Sequence, residues 1–232
     1  MSHGFDRYST NYDDVLNAGL RVTGDDKDYF AAARVRWTAR QLTALGAAVR
    51  TVLDFGCGTG ATAPILAREL RAARVIGVDE SRASIDEAQR LHASDVCSFV
   101  HATQSIEDAT CDVAYVNGVL HHVASLDQPR VLATIHAALR PGGLLALWEN
   151  NPGNPGTRWV MRRLPFDRDA VMLWPFRTKR LVEQASFSVV SIDYCFFFPR
   201  PLAALRVLEP SLRSVPLGGQ YVVFAKAAPR RS

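Results

Sequence analysis

Three glycines at alternate positions are the residues whose type and spacing first suggest a binding site. Gly56, Gly58 and Gly60 follow the apolar run 51–54 and precede a helical pattern that begins at about Ala61. Glycine lets the backbone turn sharply, adopt positive φ and approach a ligand closely. Free N–H groups and the dipole at the start of the next helix favour a carboxylate or phosphate group. The pattern predicts a ligand-binding loop, although glycine turns that bind nothing are also common.

Two aspartates restrict the chemistry of that ligand. Asp79 closes the second apolar run, about 20 residues beyond the glycines, where a carboxylate reaches the two hydroxyls of a ribose. Asp54 precedes the loop and would repel a pyrophosphate, but it can accept a hydrogen bond from an ammonium group. The dinucleotide fingerprint is G-x-G-x-x-G, whereas this loop has the spacing G-x-G-x-G. The ligand should carry a ribose, no phosphate and an amino-acid-like end, and S-adenosylmethionine (SAM) fits.

Short apolar runs that alternate with helical patterns would position these residues. Such alternation predicts an α/β fold with a doubly wound, mostly parallel sheet and helices on both faces. Ligands of such sheets bind beyond the carboxyl ends of the strands, beside the first strand. The predicted strands are 51–54, 74–79, 98–101, 112–116, 144–148, 189–194 and 220–225, and the predicted helices are 61–72, 81–92 with Ser81 as N-cap, 127–140 stopped by Pro141-Gly142-Gly143, 178–186 and 202–212.

We expect one domain in three parts. Residues 1–50 read as a helical segment, which either packs on the core or forms a lid whose tyrosines, Tyr8 and Tyr12, close over a ligand. Residues 51–149 form the ligand-binding core, and residues 150–232 form a cap and the last two strands.

Composition excludes several classes of protein. The net charge of +4 comes from basic residues that are spread along the chain, which argues against a nucleic-acid surface. No apolar run reaches about 18 residues, and the first residues lack the apolar core of a signal peptide, so we expect a cytoplasmic protein without membrane contact. The four cysteines are widely spaced, which predicts reduced thiols and no metal site.

Four spaced motifs in order carry a resemblance to a known family. Residues 52–60, 78–81, 112–123 and 139–143 resemble the motifs of class I SAM-dependent methyltransferases, in their small-molecule (type 11/12-like) branch. The resemblance implies a Rossmann-like seven-stranded sheet of order 3-2-1-4-5-7-6, with SAM as cofactor and S-adenosylhomocysteine (SAH) as product. The run 149–155 resembles a subset of bacterial members associated with sugar or secondary-metabolite pathways.

The resemblance also assigns roles around the cofactor. The glycines would line its methionine part, Asp54 would lie near the ammonium, and Arg34 would pair with the carboxylate. The segment 102–104 would hold the adenine edge, although it lacks the usual acidic residue. The cofactor-binding residues implied are Tyr12, Arg34, Asp54, Gly56, Cys57, Gly58, Gly60, Asp79, Glu80, Ser81, Thr103, Gln104, Asn117, Gly118 and His122.

The acceptor should lie at the opposite rim, after the fourth and fifth predicted strands. His121 and His122 are candidate general bases, because histidine titrates near neutral pH, but either one could simply brace the loop. Glu149 could orient an acceptor, or it could cap the following loop with the neighbouring asparagines. The residues predicted to contact the acceptor are Tyr8, Asn150, Asn151, Arg158, Trp159 and Trp174.

Three functions stay open at this stage. The leading hypothesis is methyl transfer to an O, N or C atom of a small molecule by a monomer or homodimer. The second is RNA or protein methylation; base methylation usually requires an Asn/Asp-Pro-Pro-aromatic motif after the fourth strand, where this chain has residues 117–120, Asn-Gly-Val-Leu. The third is binding of SAM without methyl transfer.

Overall fold

A computed structural model describes residues 24–104, 107–163 and 170–229 of the chain. The predictions for Tyr8 and Tyr12 lie outside these residues. None of the helices within them is both long and apolar enough to cross a membrane.

Seven strands form one sheet, and its order 3-2-1-4-5-7-6 confirms the predicted topology. The first five strands are parallel, and the seventh pairs antiparallel with both the fifth and the sixth. The strands are β1 (Thr51–Phe55), β2 (Arg74–Asp79), β3 (Cys97–His101), β4 (Cys111–Asn117), β5 (Leu139–Asn150), β6 (Phe187–Cys195) and β7 (Gln220–Ala227).

Helices cover both faces of the sheet because each presents an apolar stripe to it. One apolar core joins the sheet to α1–α3 through residues such as Val35, Leu66 and Ile85, and the other joins it to α4 and α6 through residues such as Leu132 and Val182. The helices are α1 (Lys27–Ala44), α2 (Ala63–Leu70), α3 (Arg82–His92), α4 (Gln128–Ala138), α5 (Pro155–Met161), α6 (Pro175–Gln184) and α7 (Glu209–Leu212).

Helix α1 is part of the core. Asp26 caps it by accepting a hydrogen bond from the backbone N–H of Tyr29 at 2.8 Å. The indole N–H of Trp37 donates to Asp193 on β6 at 3.1 Å, and that of Trp148 on β5 donates to Thr38 at 3.2 Å. The described part of the N-terminal segment thus packs on the sheet, and the lid alternative, which involves Tyr8 and Tyr12, lies outside the described residues.

Two predicted elements are wrong. The Pro-Gly-Gly turn does not separate a helix from a strand, because Leu139 already pairs with Cys111 and residues 140–143 bulge out within β5. The predicted helix 202–212 is a 3₁₀ helix over Arg200–Leu208 followed by the four-residue α7, and neither buries a residue. Pro210, inside the predicted range, has no backbone N–H to donate, which disfavours a continuous α-helix there.

The cysteines carry no cross-link: all four are free thiols. Within the ranges that the structure describes, no group of three or more His, Cys, Asp or Glu side chains is placed to hold a metal ion.

Candidate active site

The glycine loop begins where β1 ends. Gly56, Gly58 and Gly60 have φ values of 76°, 54° and 80°, which L side chains rarely adopt. A Cβ atom at Gly56 would lie 2.3 Å from Val119, and one at Gly60 would lie 2.7 Å from Phe99. Gly58 differs, because a Cβ atom there would meet nothing within 4 Å. The outer glycines therefore let the loop pack closely, and the middle glycine borders open space that a ligand can enter.

Asp79 is held in a fixed orientation beside that loop. One carboxylate oxygen accepts from the backbone N–H of Gly58 at 2.8 Å, and the other accepts from that of Ser81 at 2.9 Å. Because each oxygen can accept a second hydrogen bond, the carboxylate keeps the capacity to bind two hydroxyls. Ser81 itself caps α3 by accepting from the N–H of Ser84, as predicted. The Asp79 side chain thus suits a ribose. Glu80, the next predicted cofactor-binding residue, is exposed.

Charged groups are buried on the α1 side of the sheet, next to the loop. Asp54 and Tyr115 face each other in the register of β1 and β4. Burial raises the pKa of Asp54 to about 7, and the nearby Asp79 carboxylate adds to the rise. Burial raises the pKa of Tyr115 to about 12, while the Arg34 guanidinium opposes this rise. Arg34 and Asp54 therefore both lie close to the Tyr115 hydroxyl.

Three atoms of this cluster lack partners. Nε of Arg34, Oδ2 of Asp54 and the hydroxyl oxygen of Tyr115 are buried and have no hydrogen bond to the described residues. Unpaired buried polar atoms are costly, so a ligand that pairs with the two charged side chains is favoured. A zwitterionic amino-acid group offers a carboxylate for Arg34 and an ammonium for Asp54. The residues present therefore fit the amino-acid end of SAM.

The segment after β3 is organised by His101, which the sequence analysis did not select. Its Nδ1 lies 2.7 Å from Oγ1 of Thr103, and its Nε2 lies 2.9 Å from the carbonyl oxygen of Glu80. The backbone N–H of Gln104 donates to the His101 carbonyl oxygen. Because His101 pairs with Asp79 in the β2–β3 register, Thr103 and Gln104 lie beside the proposed ribose position.

A 3₁₀ turn over Leu120–His122 follows β4 and is fixed by two buried side chains. Glu149 accepts from the N–H of Leu120 at 3.0 Å with one oxygen, and its other oxygen lies 2.5 Å from Nδ1 of His121. Gln128 donates to the carbonyl oxygens of Leu120 and Val123. No motif marks Gln128, so it could not be selected from the sequence. Its role depends on how α4 is placed against the turn.

This geometry bears on the three predicted catalytic side chains. Glu149 is 1% exposed and holds the turn, which favours its bracing alternative. His121 is also buried, which favours the bracing alternative for its ring. His122 is exposed, with its ring centroid 4.1 Å from that of His121. The catalytic roles of all three side chains stay predictions.

The asparagines after β4 and β5 divide into two kinds. Asn117 and Asn150 end their strands and are half-buried, and Gly118 has a φ of 67° beside them. Asn151 was predicted to bind substrate, but it is buried, and its amide donates to the carbonyl oxygens of residues 216 and 218 and accepts from the N–H of Gly153. Asn151 therefore braces the loop, and its predicted contact with the substrate stays a prediction.

The remaining predicted acceptor contacts lie on exposed positions around that loop. Arg158 and Trp159 are on α5, where the Arg163 guanidinium covers the Trp159 ring at 3.7 Å. Trp174 precedes α6 and stacks on Phe176 with a centroid distance of 6.2 Å. The Trp174 ring lies close to Gly153, where an added Cβ atom would be 3.7 Å from it.

Cys57 lies inside the glycine loop. Its thiol is directed to the carbonyl oxygen of Gly58 at 3.6 Å, and burial raises its pKa. The thiol is therefore held as a neutral packing group, and the loop's contribution to binding comes from its backbone.

Comparison with known proteins finds similarity over the part of the chain that carries this site. The family model described as "Methyltransferase domain" matches residues 52–143. A trans-aconitate 2-methyltransferase of Variovorax paradoxus is 32% identical over 117 residues, which cover 48% of this chain and 42% of that protein. A malonyl-[acyl-carrier protein] O-methyltransferase of Xylella fastidiosa is 34% identical over 100 residues, covering 41% of this chain and 33% of that protein. The chain thus spans less than half the length of each relative.

Solved structures show the same fold over nearly the whole chain. A SAM-dependent methyltransferase from Thermotoga maritima superposes with a TM-score of 0.66 at 18% identity and covers 97% of this chain and 98% of that one. The methyltransferase in a complex with the Haloferax volcanii Trm112 activator superposes with a TM-score of 0.64 at 17% identity. This match also covers 97% of this chain and 98% of that one. At these identities the solved structures show a shared fold alone. The family model and the sequence relatives match the region that contains the motifs. Residues 52–143 therefore match a methyltransferase domain, and the chain has the fold of solved SAM-dependent methyltransferases.

Proposed function

We propose that this protein transfers a methyl group from SAM to an O, N or C atom of a small molecule. The observation that carries the proposal is the pair of unpaired buried atoms, Arg34 Nε and Asp54 Oδ2, beside a glycine loop and an oriented carboxylate. The site has groups that fit an amino-acid end and a ribose, and open space at Gly58. These features match SAM better than a dinucleotide. The match of residues 52–143 to a methyltransferase domain supports the same reaction.

Each part of the cofactor has residues to hold it. Asp79 would accept the ribose hydroxyls, because two backbone N–H groups already fix its carboxylate. Arg34 and Asp54 would bind the carboxylate and the ammonium. When bound, SAM supplies a methyl group on a sulfonium, and its loss leaves the thioether SAH. The protein's main tasks are then to align the acceptor and to accept its proton.

His122 is the residue that would accept that proton. Its ring is exposed at the carboxyl end of β4, and Glu149 and Gln128 fix the turn that carries it. With SAM bound, His122 would take up the proton that an O–H or N–H acceptor loses when it receives the methyl group. An acceptor that is already a carboxylate has no proton to lose and would need alignment alone.

Carboxylic acids are the first acceptors to test. The names of two relatives, a trans-aconitate methyltransferase and a malonyl thioester O-methyltransferase, both specify a carboxylic acid. The run 149–155 supports a setting in secondary-metabolite or sugar and glycan biosynthesis, and we include that setting in the proposal.

The binding half of the proposal is tested by calorimetry with SAM, SAH and NAD. We expect dissociation constants on the order of micromolar for SAM and SAH, no heat with NAD, and loss of both ligands in Asp79→Ala. Heat with NAD and none with SAM or SAH would overturn the proposal.

The transfer half is tested with methyl-labelled SAM and a panel that contains trans-aconitate, malonyl thioesters, sugars, phenols and amines. We expect label in one small-molecule class and none in RNA or protein. Tight SAM binding without label transfer to any of them would instead support the binding-only alternative.

A further inference from the structure

The side chain of Gln220 joins the cofactor side of the site to the acceptor side. Its Oε1 accepts from Nη1 of Arg34 at 3.2 Å, and its Nε2 donates to Oδ1 of Asn150 at 2.9 Å. Gln220 begins β7 and lies opposite Asn150 in the β5–β7 register. One amide therefore links α1 to the end of β5, and the sequence analysis gave it no role.

The direction of both amides follows from Arg34. A guanidinium group can only donate, so the oxygen of Gln220 must face it. The amide nitrogen of Gln220 then faces Asn150, and Asn150 must present its oxygen in return. Its own N–H groups are turned away from Gln220, and they have no hydrogen bond partner among the described residues. Asn150 thus offers donors at the rim where the acceptor is expected.

We propose that Gln220 is a positioning residue that holds Arg34 toward the amino-acid end of the cofactor and turns the N–H groups of Asn150 toward the acceptor. This inference rests on the proposed function. A neutral amide suits the task because it fixes the guanidinium without neutralising its charge, which stays available for a ligand carboxylate. The acceptor would then carry a hydrogen-bond-accepting oxygen, such as that of a carboxylate or carbonyl group, near its reacting atom.

Two ligands that differ only at the amino-acid end test the contact with Arg34. SAH has that end, whereas 5′-methylthioadenosine keeps the adenine, ribose and sulfur and lacks it. We expect Gln220→Met to weaken SAH about tenfold, because Arg34 loses its orientation but keeps its charge. Gln220→Glu should weaken SAH further, because the new carboxylate competes with that of the ligand. The affinity for 5′-methylthioadenosine should stay the same in both variants.

A purely structural role predicts a different result. Glu at position 220 keeps the bond to Arg34, so Gln220→Glu would then be the milder change, and both ligands would weaken together. Lys226→Met, at the exposed far end of the same strand, serves as the matched control and should bind both ligands like the wild type. Unchanged SAH affinity in both Gln220 variants, with normal SAH binding by the wild type, would overturn the inference and leave the proposed function intact. Failure of the wild type to bind SAH would overturn the proposed function itself.

The orientation of Asn150 has its own readout. The side-chain amide signal of Asn150 in a ¹⁵N spectrum is identified by its absence from Asn150→Asp. Gln220→Glu removes the donor to Asn150 Oδ1, so the Asn150 amide should turn over and its signal should move. The same signal should stay in place in Lys226→Met. An unmoved signal in Gln220→Glu would overturn the proposed link to Asn150.

Discussion

Asp54 is the residue whose charge the structure ties most directly to ligand binding. Its pKa of about 7 lies well above the ordinary aspartate value because burial and Asp79 disfavour the charged form. A ligand ammonium would favour the charged form, so binding below about pH 7 should release a proton. We expect SAH affinity to rise on the order of tenfold between about pH 5.5 and 7.5. Calorimetry in two buffers of different ionisation enthalpy measures both the affinity and the proton release.

Asp54→Asn separates this effect from other titrating groups such as His122. The variant should bind SAH weakly at every pH and should lack the rise in affinity.

The raised pKa of Asp54 also affects the stability of the ligand-free protein. Its contribution to stability is complete below about pH 4 and is lost as the pH rises to about 7. Asp54→Asn should therefore increase the unfolding free energy at about pH 8, by up to about 4 kcal/mol, and change it little at about pH 4. Equal effects at both pH values would contradict a raised pKa.

His122 gives a prediction about turnover. His122→Ala should lower kcat by about 10² or more with an O–H or N–H acceptor, because the acceptor's proton loses its base. The affinity for SAH should change little, since the side chain is exposed. Rate and binding measurements on the same preparation separate the two effects, and equal losses in both would make His122 a structural residue.

At the residue scale, the sequence identified side chains that lie inside motifs and missed those that meet across the fold. Asp54 and Asp79 could be selected because their distance from the glycines is fixed by one strand–loop–helix unit. Gln220 could not be selected, since its partner Arg34 is 186 residues away along the chain. A strand end predicts the neighbourhood of a side chain but not its direction, so the sequence does not tell whether Glu149 and Asn151 face an acceptor or the following loop.

At the scale of elements, the glycine loop provides a matched pair of variants. Gly56→Ala should destabilise the fold by roughly 2 kcal/mol or more, because its Cβ atom would lie 2.3 Å from Val119 at a φ of 76°. Gly58→Ala meets no atom within 4 Å and should cost only about 1 kcal/mol for its positive φ. Yet Gly58→Ala should lower SAH affinity more than tenfold, because its methyl group occupies the space left for the ligand.

Thermal unfolding and calorimetry check this pair. Gly46→Ala offers a control with positive φ and no atom within 4 Å, far from the loop, and it should lose a similar stability while keeping SAH affinity. Normal SAH binding by Gly58→Ala would mean that the open space is not the ligand's.

The elements also show where pattern reasoning fails. The strands were predicted within a few residues because short apolar runs bounded by glycine and aspartate have one simple interpretation. The start of β5 was missed, since Leu139 satisfies a helical stripe as well as it pairs with Cys111. The stretch 202–212 has apolar residues at helical spacing, but Pro210 and the exposure of the stretch lead to a 3₁₀ turn.

At the scale of the whole molecule, the strand order followed from the family resemblance, whereas the docking of α1 did not. Nothing in the local pattern indicates that Trp37 bonds with Asp193 or that Phe30 packs edge-on against Phe196 at 5.0 Å. These contacts join the first described helix to the last third of the chain. Arg34 is thereby held at the site by the same packing that completes the core.

The packing of α1 against the last third of the chain also predicts how the molecule unfolds. Arg206 lies in the segment 200–208, ion-pairs with Asp25 at 2.5 Å and stacks over Tyr29 at 4.4 Å, so it fixes the start of α1. Arg206→Met should lower the unfolding free energy by about 2 kcal/mol, because the Asp25 side chain is largely buried and loses this partner. Arg200→Met removes only an exposed bond to the carbonyl oxygen of Gly24 and should cost less than about 0.5 kcal/mol. Because α1 shares its core with the sheet, circular dichroism and tryptophan fluorescence should report one coincident transition for the wild type and both variants. An early separate transition in Arg206→Met would show instead that α1 unfolds on its own and that the sheet does not depend on it.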